Sequence, residues 1–528
     1  MRLTGPISNN FRKYILLPAT YGKKRNQELS WLGKLIFMLI PLRWETLVIC
    51  VFLVLNFVLL FANLYYVEND PLFPTKKGAF NKYVGDRSGI GGTMLTPMLV
   101  LFAGRNNILL WLTGWNYATN ITFHKWVSRI SFLLILIHSI CYTVIFVGRG
   151  DYKEEMKETY LIWGTVGTAV MGLIMLQAML QFRRRWYETF VLFHILLAVF
   201  YIIGCWYHLA DLGYLQMIIP AIALWGFDRV ARLVRMFIYG FPEACVTLLG
   251  NGNGIDPLTK EAATLKVVVP KSDHWRMSPG GHVWIYFLKP TCFWQSHPFT
   301  CIESLDGKSI ILYCKVKSGV TYNLFKYLLV SPTKEAKIRV SVEGPYSEPC
   351  QYKRTECVSF IAGGNGIPGL YSEVTHLAKK RQPSKGKLKL HWIIRDYGSI
   401  MWFYEQLEAL KDVQVETTIY LTKPSQTLAH FDSNKDTDDD DAEKKSRESV
   451  SLDIAHLKSC LSHINFVEGK PLVDDIIRND LEETSKSVAF VACGHPMMVD
   501  DARYALVQSL TQNKGKRVDF YEALQVWT

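Results

Sequence analysis

The chain is poor in charge and has no paired cysteine spacing. Only 20% of its 528 residues are Asp, Glu, Lys or Arg, against 49% that are hydrophobic. Its 11 cysteines contain no Cys-x-x-Cys, which argues against a zinc site or a disulfide framework. Most read as small apolar residues. The first thirty residues lack the basic, apolar and small-residue succession of a cleavable signal, so the first apolar span is expected to act as the insertion signal. Internal repeats are absent. Aromatic residues make up 13% of the chain, which excludes full disorder. The length suits three or four domain-sized units.

What is present divides near Tyr239. Before it lie apolar runs of about twenty residues, the length that crosses a bilayer. Six spans are expected: Glu45–Tyr66, Ile90–Phe102, Phe123–Phe146, Tyr160–Leu180, Thr189–Leu209 and Tyr214–Met236. The second is short and holds Pro97. Trp31–Leu42 is too short to span and reads as an interfacial piece. The net charge is 59 − 47 = +12. Basic residues crowd the N-terminal tail, Arg183–Arg185 and Arg229, Arg232 and Arg235, as cytoplasmic flanks of membrane helices do. Membrane flanks therefore explain the charge, and nucleic acid is not expected as a partner. The same rule places the N-terminus and the C-terminal half in the cytosol, with Val67–Arg87, Gly148–Glu158 and a short turn near Ala210–Gly213 outside. The one glycosylation sequon, Asn120-Ile121-Thr122, falls on the cytosolic side and is expected to be empty.

The first 250 residues hold four histidines: His124, His138, His194 and His208. Each pair is fourteen positions apart (138 − 124 and 208 − 194), on spans three and five. Fourteen helical residues rise about 21 Å and return to nearly the same face. Spans three and five run the same way, so His124 can face His194 and His138 can face His208. Two facing imidazoles form the axial set of a haem iron. Two such sites stacked across an apolar core of about 30 Å would make an electron wire. A single membrane histidine would read as a packing residue, but the matched spacing favours haem. A dinuclear metal site is the weaker competitor, because intramembrane carboxylates are scarce. Arg129 suits a haem propionate or simple snorkelling equally well.

After Phe241 short alternating segments, Leu265–Val269, His282–Leu288 and Ile310–Val316, read as strands of a small antiparallel barrel. From Cys357 the pattern becomes strand, Gly-rich turn, helix and strand, which is α/β texture around a parallel sheet. Residues 431–450, with Asp438–Asp441, read as a disordered acidic insertion. His297-Pro298-Phe299-Thr300 can present an imidazole and a hydroxyl to a flavin. Lys315, Lys317, Ser318, Gly319, Val320 and Thr321 form a turn into a helix, which suits a pyrophosphate. Gly363-Gly364-Asn365-Gly366 sits between a strand and a helix, where a dinucleotide phosphate approaches the backbone. Arg395, at the end of the next strand, suits the 2′-phosphate of NADPH, while Asp396 beside it suits NADH. Cys493-Gly494 closes a later strand and can frame a nicotinamide. Trp527, next to the last residue, can stack on a flavin ring. Each of these also has an ordinary structural reading, as a turn, a buried thiol or an apolar anchor.

In this order the pieces resemble the fungal ferric-chelate reductases within the NADPH oxidase family. The likeness rests on Ala103–Asn107, His124-Lys125-Trp126 with His138, His194 with His208, His297–Thr300, Val342–Tyr346, Ala362–Gly369, Cys493-Gly494 and Gln525-Val526-Trp527. It covers about Ile90 to the C-terminus. It implies an α-helical membrane bundle with two bis-His haems, a ferredoxin-reductase-like FAD barrel and an α/β nucleotide-binding domain. The expected division is 1–43 tail and interfacial segment, 44–240 di-haem membrane domain, 241–352 FAD barrel and 353–528 NADPH domain. By the same likeness His297–Thr300 and Lys315–Thr321 bind FAD, Gly363–Gly366 and Cys493 bind NADPH, and the four membrane histidines ligate two b-type haems. Many members carry a large domain before the spans where a short basic tail stands here. The activity implied is transmembrane electron transfer from NADPH to ferric or cupric chelates, at the plasma membrane or an internal one. A superoxide-producing oxidase with oxygen as acceptor is the alternative, and a non-catalytic scaffold or channel the remote one.

Overall fold

The computed structural model describes all residues except 1–5, 32–35, 69–70, 72–74, 250–262, 273, 348–351, 353–354, 382–385, 425–453, 514 and 524–528. The acidic insertion 431–450 and Trp527 therefore lie outside the described residues. The chain forms two compact units, one of Glu28–Arg232 and one of Met1–Gln27 with Leu233–Gln525.

The first unit is helical. Its main helices are α1 (Arg43–Phe61), α2 (Lys76–Met94), α3 (Thr96–Ala103), α4 (Tyr117–Arg149), α5 (Thr159–Gln177) and α6 (Tyr187–Leu212), and α7 (Ile219–Tyr239) follows. Among the described residues α1, α4, α5 and α6 are long and apolar enough to cross a membrane. The lipid-length apolar runs of the sequence dictate these four.

The second expected span differs. It is not a lone segment from Ile90 after an outer loop. Lys76–Met94 is a continuous helix packed along α4, and α3 continues it past the Thr96-Pro97 break. Gly85 and Gly92 are buried there, and small residues let helix backbones approach closely. Glycine and polar side chains hide this helix from an apolar-run reading. Gly167 of α5 and Gly204 of α6 make the same kind of approach: a Cβ on Gly204 would lie 3.1 Å from Gly167 Cα. Asn120 is fully buried in α4, so the sequon cannot carry a glycan. Within Trp31–Leu42, the described residues Ile36–Met38 pair antiparallel with Leu29–Trp31, a short hairpin.

The second unit begins with a closed six-stranded barrel. Its strands are β1 (Glu243–Leu249), β2 (Thr264–Pro270), β3 (His282–Phe287), β4 (Ser296–Glu303), β5 (Ser309–Lys315) and β6 (Glu335–Tyr346), in spatial order β1-β2-β5-β4-β3-β6. All pairs are antiparallel. Ala244, Val246, Val267, Val269 and Val340 alternate inward, the two-residue period of a strand with one buried face. Helix α8 (Val320–Val330) follows β5.

A six-stranded parallel sheet completes the unit. Strands β7 (Cys357–Gly363), β8 (Lys387–Ile394), β9 (Glu416–Leu421), β10 (Ile464–Glu468), β11 (Ser487–Cys493) and β12 (Arg517–Glu522) lie in the order β10-β9-β8-β7-β11-β12. Val358, Phe360, Ile361 and Ala362 are all fully buried, as expected of a strand covered on both faces. The chain winds outward from β7 to β10 and returns to β11 on the other side of β7. That reversal opens a crevice at the carboxyl ends of β7 and β11, the usual ligand position in such sheets.

The tail before the spans belongs to this second unit. The side chain of Leu17 is buried in the cluster around β11 and α9 (Pro496–Ser509). Arg12 pairs with Asp519 at 3.2 Å and Lys23 with Asp501 at 2.6 Å. The fully buried carboxylate of Asp500 accepts from the backbone N–H groups of Arg25, Asn26 and Gln27 at 3.1–3.2 Å and from Arg503 at 2.6 Å. The basic tail therefore binds acidic groups of the nucleotide-type sheet, a role its charge pattern alone does not reveal.

Candidate electron-transfer and cofactor sites

Helices α4 and α6 bring the four membrane histidines into two facing pairs. The ring centroids of His124 and His194 are 6.4 Å apart, and those of His138 and His208 are 6.1 Å apart. Imidazoles on opposite sides of one metal, each bonded at about 2 Å, would have centroids roughly 6 Å apart.

Each ring is also held by its other nitrogen. His124 Nδ1 lies 3.0 Å from Leu99 O, His138 Nδ1 2.8 Å from Gly85 O, and His208 Nδ1 2.8 Å from Tyr160 O. A carbonyl can only accept, so these three Nδ1 atoms carry the proton and their Nε2 atoms keep the lone pair a metal needs. His194 Nδ1 meets the side-chain amide of Gln177, with Nε2 at 3.2 Å.

Two glycines make the carbonyl contacts possible. In a helix the side chain of residue i+4 leans back over the carbonyl of residue i. Gly89 stands four after Gly85, and Gly164 four after Tyr160. A Cβ on Gly89 would lie 2.5 Å from His138 Nδ1, and one on Gly164 2.7 Å from His208 Nδ1. These glycines are site residues that the sequence reading missed. Their spacing is visible in the chain, but nothing local says which imidazole meets which carbonyl.

The donor set fits a haem. Among the described residues no group of three or more His, Cys, Asp and Glu can hold a metal ion. Two imidazoles are too few for an ion held by protein alone. They suffice for an iron whose remaining ligands come from a macrocycle. The Ala103–Asn107 tract has a structural task instead: Asn106 N donates to Asp228 at 2.9 Å, and Asn107 Nδ2 donates to Leu101 O at 2.7 Å. Arg129 lies over the Trp126 ring at 4.8 Å.

In the barrel, His297, Pro298, Phe299 and Thr300 lie on β4 and pair with β3, His297 opposite Ile285 and Thr300 opposite His282. They are half-buried. Lys315 and Ser318 are exposed ahead of α8, and Gly319 has φ +66°, which a side chain would strain. Thr321 closes this turn by accepting from Lys317 N at 3.2 Å. The first N–H groups of a helix have no intrahelical acceptor, so the start of α8 suits an anion.

In the sheet, Gly363, Gly364, Asn365 and Gly366 end β7 beside Cys493 and Gly494 of β11. A Cβ on Gly366 would lie 2.3 Å from Cys493 O, and one on Gly494 2.8 Å from Gly363 Cα. The two turns thus touch through bare backbone at the crevice. Trp392 Nε1 donates to Gly364 O at 2.9 Å and fixes the turn from β8, another residue the sequence reading did not single out. The helix Ile367–Lys380 starts from this turn and packs on the barrel. A Cβ on its Gly369 would lie 3.2 Å from Thr300 Cγ2, so the flavin-type strand and the nucleotide-type turn adjoin.

Asp396 is buried, and its Oδ1 accepts from both Ser399 N and Ser399 Oγ at 2.9 Å. That carboxylate is engaged in its own turn, while Arg395 beside it is exposed. Burial pushes the Cys493 thiol up to about 12, and its Sγ donates to Ala523 O at 3.6 Å. It is a thiol, not a thiolate, at neutral pH.

Three family models match along the chain. Residues 88–205 match the ferric reductase like transmembrane component, 256–350 an FAD-binding domain and 355–507 the ferric reductase NAD binding domain. A probable ferric reductase transmembrane component of Candida albicans is 45% identical over 99% of this chain and 77% of its own length. The ferric/cupric reductase transmembrane component 1 of the same species is 44% identical over 99% and 68%. Among solved structures, a ferredoxin NADP+ reductase from Neisseria gonorrhoeae with bound FAD and NADP aligns with 54% of this chain and 98% of its own, at 12% identity and a TM-score of 0.33. The paired histidines, the flavin-type barrel, the nucleotide-type turns and relatives matched over 99% of this chain lead to one conclusion: this chain belongs to the ferric reductase family.

Proposed function

We propose that this integral membrane protein takes electrons from NADPH on the cytosolic side and delivers them across the plasma membrane to ferric, and also cupric, chelates. The observation that carries the reading is the pair of facing histidine sites on α4 and α6, each ring turned by a partner on Nδ1. When bound, NADPH supplies hydride chemistry, FAD the passage from electron pairs to single electrons, and two b-type haems single-electron transfer.

The chain's own residues bind, orient and shield. Gly363–Gly366 and Gly494 leave bare backbone for a dinucleotide phosphate, and exposed Arg395 meets the 2′-phosphate. Asp396 is buried with Oδ1 held by Ser399, whereas Arg395 is exposed, so Arg395 is the charged group presented to the ribose end, which favours NADPH over NADH. Cys493 borders the nicotinamide position as a neutral thiol. His297–Thr300 line the flavin, and Lys315, Ser318, Gly319, Val320 and Thr321 take its pyrophosphate. His124 with His194, and His138 with His208, would hold the two haems. Outer-sphere reduction of a chelate needs no acid or base from the protein. Trp527 would act at the flavin face.

The test is haem reduction by NADPH in membranes, followed by reoxidation with a ferric chelate under argon or with oxygen alone. Fast anaerobic reoxidation by the chelate and slow reoxidation by oxygen is the expected result. The reverse order would make oxygen the acceptor and the protein an oxidase.

A further inference from the structure

Three of the four membrane imidazoles are preset by the backbone, and one is not. Leu99 O, Gly85 O and Tyr160 O hold His124, His138 and His208. A backbone carbonyl offers only lone pairs, so each of those rings has its Nδ1 protonated before any metal arrives. His194 is different. Its Nδ1 contact is the side chain of Gln177, the last residue of α5, with Nε2 at 3.2 Å. A primary amide offers both roles: its nitrogen donates and its oxygen accepts. With the nitrogen toward His194, Nδ1 accepts and the ring proton sits on Nε2, where it blocks a metal. Turning the amide by 180° keeps its shape and brings Oε1 to the same place. Nδ1 then carries the proton, and Nε2 is released as a ligand.

We infer that Gln177 is a positioning residue that sets the tautomer of His194, and through it the donor strength of one ligand at the His124/His194 site alone. This rests on the proposed haem at that pair. An acceptor on Nδ1–H raises the basicity of the imidazole and favours the more oxidised metal. Without the acceptor, the site's reduction potential rises. The other pair has no side-chain partner of this kind, since both of its rings bond to backbone. One side chain therefore biases one of two sites, and so tilts the step between them.

The experiment is a redox titration of the haem bands in full-length protein, with haem counted per chain. Gln177→Met keeps the length and apolar fit but removes the acceptor. Gln177→Glu keeps an acceptor oxygen at the same reach. The expected result is that Met raises one of two midpoints and leaves the other in place, while Glu does not raise either. Loss of one haem in the Met variant with both retained in the Glu variant supports the same assignment. The inference is overturned if Met leaves both midpoints unchanged, if it moves both together, or if Glu raises the same midpoint as Met. A wild-type protein without two haems would instead remove the functional reading on which this rests.

Discussion

Replacing Gly89 by Ala adds one methyl group to α2, and its consequence can be worked out from the geometry. The new Cβ would lie 2.5 Å from His138 Nδ1 and 2.8 Å from Cε1. An ordinary non-bonded contact needs about 3.5 Å, so the ring must retreat by about 1 Å (3.5 − 2.5). A metal–ligand bond tolerates about 0.2 Å, one fifth of that retreat. The same movement breaks the 2.8 Å bond to Gly85 O, a loss of about 1 kcal/mol. Helix propensity acts the other way, since Ala improves a helix over Gly by about 1 kcal/mol. Folding therefore survives while the site fails. The control is Gly91→Ala, two residues on, where the nearest atom is Leu134 Cδ1 at 3.5 Å. Reduced-minus-oxidised spectra normalised to flavin should show half the haem in Gly89→Ala and all of it in Gly91→Ala. Full haem with unshifted bands in Gly89→Ala would refute the claim that this glycine makes room for the ligand.

Arg395→Ala should cost NADPH about 1.5–3 kcal/mol of binding and leave NADH nearly unchanged. Steady-state KM values for both cofactors check this, and an equal rise in the two would remove Arg395 from the 2′-phosphate. Cys493 should give no thiolate inflection in rate between pH 6 and 9, because its folded thiol titrates at about 12. Its stability effect has a definite sign: above the usual thiol value the unfolded chain has lost a proton that the folded chain still holds. Stability should therefore fall as pH rises from about 9 toward 12, by at most about 1.4 kcal/mol per unit, and Cys493→Ala should flatten that slope in denaturant titrations. Asp500→Ala should destabilise the nucleotide-type sheet by about 3 kcal/mol, since it leaves the backbone N–H groups of Arg25, Asn26 and Gln27 without their acceptor, while Arg503 keeps Glu522 and Lys23 O as partners. Thermal inactivation of NADPH-driven flavin reduction reads this loss, and an unchanged midpoint would show that the tail contributes nothing.

The legibility of this molecule follows the range of its interactions. Helical period alone predicts that residues fourteen apart share a face, so the facing of His124 with His194 and His138 with His208 could be expected from the chain. Strands β8 and β5 were readable because their β-branched and aromatic runs are local. Helix α2 was not, because its apolar signal is diluted by Gly78, Gly85, Gly89, Gly91 and Gly92, of which Gly85, Gly89 and Gly92 are met closely by side chains of α4. The choice between Arg395 and Asp396 was open in sequence, and what the structure adds is that Asp396 is buried and bonded to Ser399 while Arg395 is exposed. The tail was legible as basic, but its partners Asp500, Asp501 and Asp519 come from the far end of the chain. Charge composition names the sign of a partner and nothing about where it sits.

The two histidine pairs also differ in how firmly they are built. At His138 and His208 a carbonyl is bared by a glycine four residues later, once on α2 and once on α5. The ring's tilt, tautomer and distance from the helix are then all set by main chain, which side-chain motion cannot relax. At the other pair His124 has such a carbonyl, at Leu99, with small Ala103 four residues on, but His194 relies on an amide. A backbone acceptor is lost only when the small residue that bares it, Gly89, Gly164 or Ala103, is filled, whereas an amide can be exchanged without touching the main chain. The His138/His208 site is thus the one with fixed properties and fragile glycines. On the proposed reading the His124/His194 site is the one whose properties a single side chain would reset, and electrons would pass between a fixed site and an adjustable one.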